Sequence, residues 1–329
     1  METKVFIDHL QANYDRVSNY LGGGMKPDIL IGLASKYTLA GATYSGVTFQ
    51  RFIDELHHKS TEDSWLSIFN NITTVSSLGY KVAAHLLLHP ESEQQLERLG
   101  QNEHYLQASG FKKNTYRTIA ALLVLDQSHV KRARLLYDEM HRFHPLLTGK
   151  DDIPFAVLLT TDAEQDIVTR AATMNRYYEL LKGNGFKIGD ALQALSQLLT
   201  MYSVHYEPNL VPYVTQLKKE FEQHQIKVKK MHYPYIGLLA LVATDTELVR
   251  DIVALYKELS AKKMFNGVKE LAFTVAIQKQ IQQLQEVKET ITLTDFPKLT
   301  QALEHADLAL DTFQLGSNIF GGFIGDLFN

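Results

Sequence analysis

The stretch that decides the fold is residues 154–186, which read PFAVLLTTDAEQDIVTRAATMNRYYELLKGNGF. An apolar segment ending in Leu158 and Leu159 is followed by a polar turn, a second apolar-periodic segment and a turn with two glycines. The same order returns 80 residues later, where residues 234–267 read PYIGLLALVATDTELVRDIVALYKELSAKKMFNG. Such self-similarity is typical of helical hairpins that hide their apolar faces against neighbouring hairpins.

A pair of adjacent leucines marks each unit at intervals of 35, 36, 40 and 40 residues. The pairs are Leu87-Leu88, Leu122-Leu123, Leu158-Leu159, Leu198-Leu199 and Leu238-Leu239. Helical steps of three and four separate the apolar residues of the second segment, and no long alternating run indicates a strand. We therefore predict an all-α fold, an α-solenoid array of about five antiparallel helical hairpins.

Three parts follow from where the repeat holds. Residues 1–75 match it poorly and are predicted to form an irregular N-terminal helical cap, because terminal units of an array are atypical. Residues 76–290 carry the hairpin repeats. Residues 291–329 are predicted to form a C-terminal helix and an apolar tail.

The ends of the predicted helices carry recognisable signals. Thr161 with Glu164, and Thr244 with Glu247, fit a capping box at the start of the second helix of a hairpin. A glycine after the helix, Gly183 or Gly185, supplies the left-handed residue that closes it.

Composition restricts the class of protein. The net charge of -4 over 329 residues does not indicate nucleic-acid binding, and the absence of cysteine excludes disulfides and thiolate metal sites. No secretory leader or membrane-spanning run is visible in the sequence, so the cytoplasm is the predicted compartment. No motif predicts a catalysed reaction, a metal or a cofactor.

Three segments together resemble an uncharacterised family of Gram-positive bacteria, domain of unknown function four thousand and three. They are HPLLTGKDDIPFA at residues 144–156, YYELLK at residues 177–182 leading into Gly185-Phe186, and KKMHYPYIGLL at residues 229–239. The resemblance covers roughly residues 30–280. It implies a cytoplasmic bacterial protein and transfers no catalytic residues.

A polar cluster beside one inter-helix turn is the candidate ligand site. His141, His144, Asp151 and Asp152 lie within twelve positions of one another. A histidine beside carboxylates can act as a general base or hold a divalent ion. The structural alternative is that Asp151 or Asp152 caps the next helix, with Pro154 in its first turn.

Two weaker motifs have structural explanations. The spacing Gly183-x-Gly185-x-x-x-Gly189 approaches a dinucleotide loop, but that loop follows a strand and here a helix is predicted to precede it. His85 and His89 are four residues apart on a predicted helix and could share a metal, although a metal site needs further ligands.

The C-terminal tail is predicted to be a partner-binding helix. Its apolar residues fall on one half of a helix, each worth roughly 1.5–3 kcal/mol when buried. The six residues on that half are Ile319, Phe320, Phe323, Ile324, Leu327 and Phe328, and the tail begins at Leu315, which is also a candidate for partner binding. Three glycines oppose helix formation at about 1 kcal/mol each, so the tail needs a surface to dock on. That surface is its own chain, a second protein chain or, less favoured without lysine or arginine, a membrane.

The function predicted from these patterns is a protein-interaction or scaffolding module, since solenoids offer extended binding surfaces. The alternative is a small-ligand-binding protein or enzyme with its site near His144, Asp151 and Asp152. A third hypothesis is a homo-oligomeric structural protein that associates through the tail.

Overall fold

The computed structural model describes residues 2–22, 24–62, 77–88, 92–162, 166–243 and 248–291. Within these ranges it contains fourteen α-helices and no strand, which confirms the predicted all-α fold. The helices are α1 (Thr3–Leu21), α2 (Pro27–Leu39), α3 (Gly46–Glu62), α4 (Ser77–Leu88), α5 (Ser92–Ala108), α6 (Thr115–Leu123), α7 (Gln127–Phe143), α8 (Ile153–Leu158), α9 (Ile167–Gly183), α10 (Asp190–Leu199), α11 (Leu210–Gln223), α12 (Tyr233–Val242), α13 (Leu248–Ser260) and α14 (Lys269–Ile291). None of the helices in the described ranges is both long and apolar enough to cross a membrane.

The chain divides into two compact units. The first comprises Met1–Gly100 and Arg250–Gln282, and the second comprises Gln101–Val249 and Gln283–Asn329. In the first unit α2 packs on α1 and α4, around buried side chains that include Phe6, Leu10, Leu33 and Phe49. The three-part division predicted from the sequence stays a prediction.

The second unit contains successive helices in the segments that the repeat predicts to be helical, whereas the predicted hairpin arrangement stays a prediction. Paired leucines lie at the ends of α6, α8 and α10 and within α12, and each of these helices is followed by a further helix. Consecutive helices pack together in the pairs α7 and α8, α9 and α10, and α11 and α12, and alternate helices also pack together, since α6 contacts α8, α7 contacts α9 and α10 contacts α12. The complete solenoid array stays a prediction.

In the second unit α8, α10 and α12 are buried on nearly every side, whereas α7 buries one face. All ten residues of α12 and all six of α8 are buried. In α7 the buried residues follow helical steps and comprise His129, Val130, Ala133, Leu136 and Met140. A helix buried all round must be covered by several neighbours, so α8, α10 and α12 form the interior of this unit.

Acidic residues begin two of the outer helices. The carboxylate of Asp126 accepts a hydrogen bond from the His129 backbone N–H at 2.8 Å, and Asp166 accepts one from Val168 at 2.9 Å. Because Asp166 is the N-cap of α9, the predicted cap at Thr161 is wrong; that hydroxyl bonds the Leu158 carbonyl instead. Glu164, Thr244 and Glu247 lie outside the described residues.

The end of α9 follows the prediction. Gly185 has φ +83°, and the Phe186 backbone N–H returns to the Leu181 carbonyl at 3.1 Å. This is the glycine-closed helix end, and it places α9 directly before the Gly183–Gly189 segment. A preceding helix explains these glycines without a dinucleotide, because the nucleotide loop requires a strand there.

Side chains of three outer helices bond the C-terminal carbonyls of the interior helix that follows each of them. The pairs are Asn102 with Ala121, His129 with Val157, and Arg170 with Thr200. Carbonyls at a helix end have no partner within the helix, so these bonds satisfy buried groups while fixing one hairpin on the next.

Candidate functional site

The candidate site is built around the turn that begins α8. Lys150–Asp152 form one turn of 3-10 helix, and Pro154 occupies the first turn of α8, where its missing N–H costs nothing. Asp152 holds the N-cap position of α8 but makes no side-chain cap bond there. Its Oδ2 instead accepts a hydrogen bond from the Gly149 backbone N–H at 2.8 Å.

The other oxygen of Asp152 is held by two glutamines of α10. Oδ1 accepts from Gln197 Nε2 at 2.7 Å and from Gln193 Nε2 at 3.1 Å. Gln193 Nε2 also donates to Thr148 Oγ1 at 3.2 Å. Asp152 is 7% exposed and the glutamines are 4% and 1% exposed, so this network is removed from water.

Three carboxylates lie near one another at this turn. The pKa of Asp152 is raised to about 8, chiefly by burial and next by the charge of Asp151, while the hydrogen bond from Gln197 opposes the shift. Burial likewise raises the pKa of Asp151, with Asp190 adding to the effect. A buried carboxyl in an acidic neighbourhood keeps its proton to higher pH, since the charged form is poorly solvated and repelled.

A cavity of about 10 Å³, close to the space that one water molecule needs, adjoins the two glutamines. It is lined by Met140, Phe143, His144, Ala171, Met174, Tyr178, Gln193, Ser196 and Gln197. Four of these nine residues, Met140, Phe143, Ala171 and Met174, belong to an apolar cluster, and the polar side chains come from α10, from the end of α7 and, with Tyr178, from α9.

Three polar atoms on the cavity-lining residues are buried without a hydrogen-bond partner among the described residues. They are Gln193 Oε1, Gln197 Oε1 and His144 Nε2. A buried polar atom left unpaired costs about 1–3 kcal/mol, so three on the lining of one cavity need an explanation. An occupant that hydrogen-bonds to them supplies one.

His144 ends α7 and lies against the ring of Tyr178, with ring centroids 4.5 Å apart. Burial lowers the pKa of His144, while the charge of Glu179 opposes this and Lys182 adds to it. The neutral imidazole is therefore favoured, and its Nε2 can accept or donate one hydrogen bond.

The structure brings together two of the four residues predicted for the site. His144 lines the cavity, and Asp152 bonds the two glutamines that also line it. Asp151 is half-buried on the same turn, and His141 is exposed on α7. The described residues contain no group of three histidine, cysteine or acidic side chains that could hold a metal ion.

Sequence reasoning missed Gln193 and Gln197. Their signal is present: they are four residues apart in the otherwise apolar sequence DALQALSQLL, which places both on one face of a buried helix. The predicted tail from Leu315 to Phe328 and the second histidine of the metal hypothesis, His89, lie outside the described residues.

Comparison with known proteins gives a family without an assigned activity. A family model described as Protein of unknown function (DUF4003) matches residues 34–301. The chain is 26% identical over 244 residues to the uncharacterized protein YeaA of Bacillus subtilis (strain 168), covering 70% of each chain. No solved structure matches the chain.

Proposed function

Since the chain belongs to this family of unknown function, as its sequence resemblance predicted, membership supplies no activity, and we propose from its own residues that it is a small-ligand-binding protein. The ligand pocket is the cavity beside Gln193 and Gln197. The observation that carries the proposal is the set of three unpartnered buried polar atoms on residues that line one space. Binding sites characteristically combine an apolar wall with a few such convergent polar groups.

The size of the cavity limits the ligand. Pockets for drug-sized molecules measure about 300–1,000 Å³, whereas this cavity has a volume of about 10 Å³, close to the space of one water molecule. The ligand therefore places a single small polar group in the cavity. We also propose that the protein is cytoplasmic, because a sequence without cysteine fits a reducing compartment.

The protein-interaction role predicted from the sequence depends on the tail, and it stays a prediction because residues 315–328 lie outside the described ranges. The pocket, in contrast, consists entirely of described residues of the second unit.

A fragment screen with a filled-pocket variant tests the proposal. Met140 and Met174 line the cavity, so the protein carrying ¹³C-labelled methionine methyl groups reports occupancy by NMR. We expect some compact fragments to shift both signals, and Ala171→Leu to abolish the shifts, because the larger side chain fills the cavity.

The matched control is Ala108→Leu, which makes the same change at an exposed position of α5. Binding must survive this substitution. If no fragment moves the two signals, or if Ala171→Leu leaves binding intact, the pocket is not a ligand site.

A further inference from the structure

We propose that one edge of the second unit binds an anionic membrane surface. The edge is formed by the segments that follow α5, α7, α9 and α11, at residues 109–114, 144–152, 184–189 and 224–232. Together these four turns form the basic edge of the unit. Membrane binding by this edge does not require the cavity to hold a ligand, so it is independent of the proposed function.

Side-chain contacts hold the four turns next to one another. The contacts are Lys150 Nζ over the Tyr116 ring at 5.9 Å, Gln193 Nε2 to Thr148 Oγ1 at 3.2 Å, and Lys230 Nζ to the Ile188 carbonyl at 2.8 Å. Tyr116 lies directly after the first turn, and Gln193 lies in the first turn of α10, directly after the third. The side chains that project from the four turns therefore lie on one edge of the second unit.

The basic edge carries seven lysines, and all of them are exposed. They are Lys112, Lys113, Lys150, Lys187, Lys227, Lys229 and Lys230. The acidic residues of the four turns are Asp151 and the buried Asp152, and Asp190 follows at the start of α10. The edge therefore has an excess of positive charge, although the whole chain has a net charge of -4. Such a local excess attracts anionic surfaces.

The turns at the opposite ends of these helices have the opposite charge. Residues 124–126, 159–166 and 200–209 contain acidic residues and no lysine or arginine. Helix dipoles favour acids at helix starts and bases at helix ends, which explains Asp126 and Asp166, the N-caps of α7 and α9.

Helix dipoles do not explain the lysines that stand just before a helix. Lys150 precedes α8, and Lys229 and Lys230 precede α12. A positive charge is unfavourable at the start of a helix, where the dipole is itself positive. These lysines are therefore placed against the dipole, and attraction to an anionic partner accounts for them.

Two apolar side chains on the same edge identify the partner as a bilayer. Leu146 is 97% exposed and Ile188 is 61% exposed, and Ile188 directly follows Lys187. At a membrane interface apolar side chains enter the boundary of the acyl chains while lysines contact anionic headgroups. An acidic protein or a nucleic acid is bound through the lysines alone, whereas a bilayer also takes up the two apolar side chains.

Co-sedimentation of the full chain with lipid vesicles tests this proposal. Vesicles of phosphatidylcholine alone are compared with vesicles of equal parts phosphatidylcholine and phosphatidylglycerol, which carry negative charge. We expect binding to the charged vesicles, little binding to the neutral ones, and loss of most binding at about 0.5 M salt, because salt screens the attraction.

Two variants separate the contributions of charge and apolar surface. Lys187→Gln should weaken binding to the charged vesicles about fivefold, and Leu146→Ser should weaken it about tenfold. The matched controls are Lys131→Gln and Leu135→Ser, which make the same changes at exposed positions of α7 away from the basic edge. Both controls should bind as the parent does, and urea denaturation verifies that all four variants fold.

The other outcomes contradict the proposal in different ways. Equal binding to both kinds of vesicle, or binding to neither, overturns it. Tighter binding to poly-glutamate than to the charged vesicles, with no effect of Leu146→Ser, overturns it and assigns the edge to an acidic protein partner. A loss in Lys131→Gln as large as that in Lys187→Gln shows an effect of total charge and overturns the role given to this edge. None of these results changes the outcome of the fragment screen.

Discussion

Two turns of the second unit have the same backbone conformation and differ in what the side chain of their last residue contacts. The turn Lys150–Asp152 precedes α8, and the turn Lys230–His232 precedes α12; each is one turn of 3-10 helix followed by a proline. In each, the third residue accepts a hydrogen bond from the backbone N–H three positions earlier, Gly149 to Asp152 at 2.8 Å and Lys229 to His232 at 3.0 Å.

The difference shows that a turn repeated in the structure can take a second role in one of its copies, here the bonding of residues that line a cavity. Aspartate and histidine can both close the turn, because the side chain of each places a hydrogen-bond acceptor within reach of the backbone N–H three positions earlier. Only Asp152, however, is bonded to Gln193 and Gln197, side chains that also line a cavity. The turn is thus a feature of the repeat, whereas the site depends on two glutamines that α10 presents to one of its copies.

Alanine substitution of Asp152 and of His232 should separate turn closure from the bonding of the two glutamines. It gives the largest expected change in the free energy of unfolding. Asp152→Ala removes the acceptor of three buried donors, on Gly149, Gln193 and Gln197, and should lower the free energy of unfolding by about 3–5 kcal/mol. His232→Ala removes the acceptor of the Lys229 N–H and should cost about 1–3 kcal/mol. Urea denaturation near about pH 9, where Asp152 is ionised and accepts from all three donors, measures both.

Asp152→Asn is the control for this comparison. Its amide can still accept from Gly149 and, when the carboxamides of Gln193 and Gln197 rotate, donate to their carbonyls. The substitution should therefore lower the free energy of unfolding by less than about 1 kcal/mol. A cost of alanine at position 232 equal to that at 152 would show that turn closure alone, and not the glutamine network, stabilises this region.

The pH dependence of stability should belong to the Asp152 turn. An acid whose pKa is raised by folding, here to about 8, keeps its proton in the folded chain after the unfolded chain has released it. The free energy of unfolding therefore falls as pH rises from about 4 to about 8 and is lowest above that window. Relative to Asp152→Asn, the parent should lose about 2 kcal/mol between about pH 6 and pH 8.

Measuring the difference between the two proteins is essential, because other groups titrate as well. Asp151 and Asp190 also have raised pKa values and act in the same direction, whereas the lowered pKa of His144 acts in the opposite one. All three are present in both proteins. Parallel stability curves for the parent and Asp152→Asn would contradict the raised pKa of Asp152.

The sequence predicted the helices well because their signals are local. Paired leucines at a fixed period and helical apolar spacing identify α6 to α12 without any knowledge of contacts. Cap assignment was less successful. Thr161 and Asp166 are both good N-cap residues five positions apart, and only the length of the turn decides that α9 begins after Asp166.

Two residues of the candidate site can be predicted from the sequence and the two glutamines cannot, for a physical reason. Asp152 and His144 stand close in the sequence and stood out as a polar cluster. Gln193 and Gln197 lie more than forty residues beyond Asp152, and a glutamine does not reveal from sequence alone whether it faces water or a buried carboxyl. The site is formed by hydrogen bonds between residues that are far apart in the sequence, and a local sequence pattern does not predict such bonds.

The ends of α9 and α11 are closed by different residues, and this difference gives the smallest expected effect. Before the turn at His232, the end of α11 is closed by Gln225, a non-glycine residue with φ +63°. The equivalent position after α9 is Gly185, at φ +83°, where a Cβ would have no other atom within 4 Å. Because a side chain is strained in this region, Gln225→Gly should raise the free energy of unfolding by about 0.5–1 kcal/mol.

The reverse change, Gly185→Gln, makes this prediction decisive. It introduces the same side chain at a helix end with open space around it, so backbone strain is the term that changes, and we expect a loss of about 1 kcal/mol in the same urea titration. Opposite shifts of similar size would show that the glutamine at 225 is retained against its conformational cost. A destabilising Gln225→Gly would instead mean that the exposed Gln225 side chain makes contacts that outweigh the strain, and that the approach to the His232 turn is itself held by side-chain interactions.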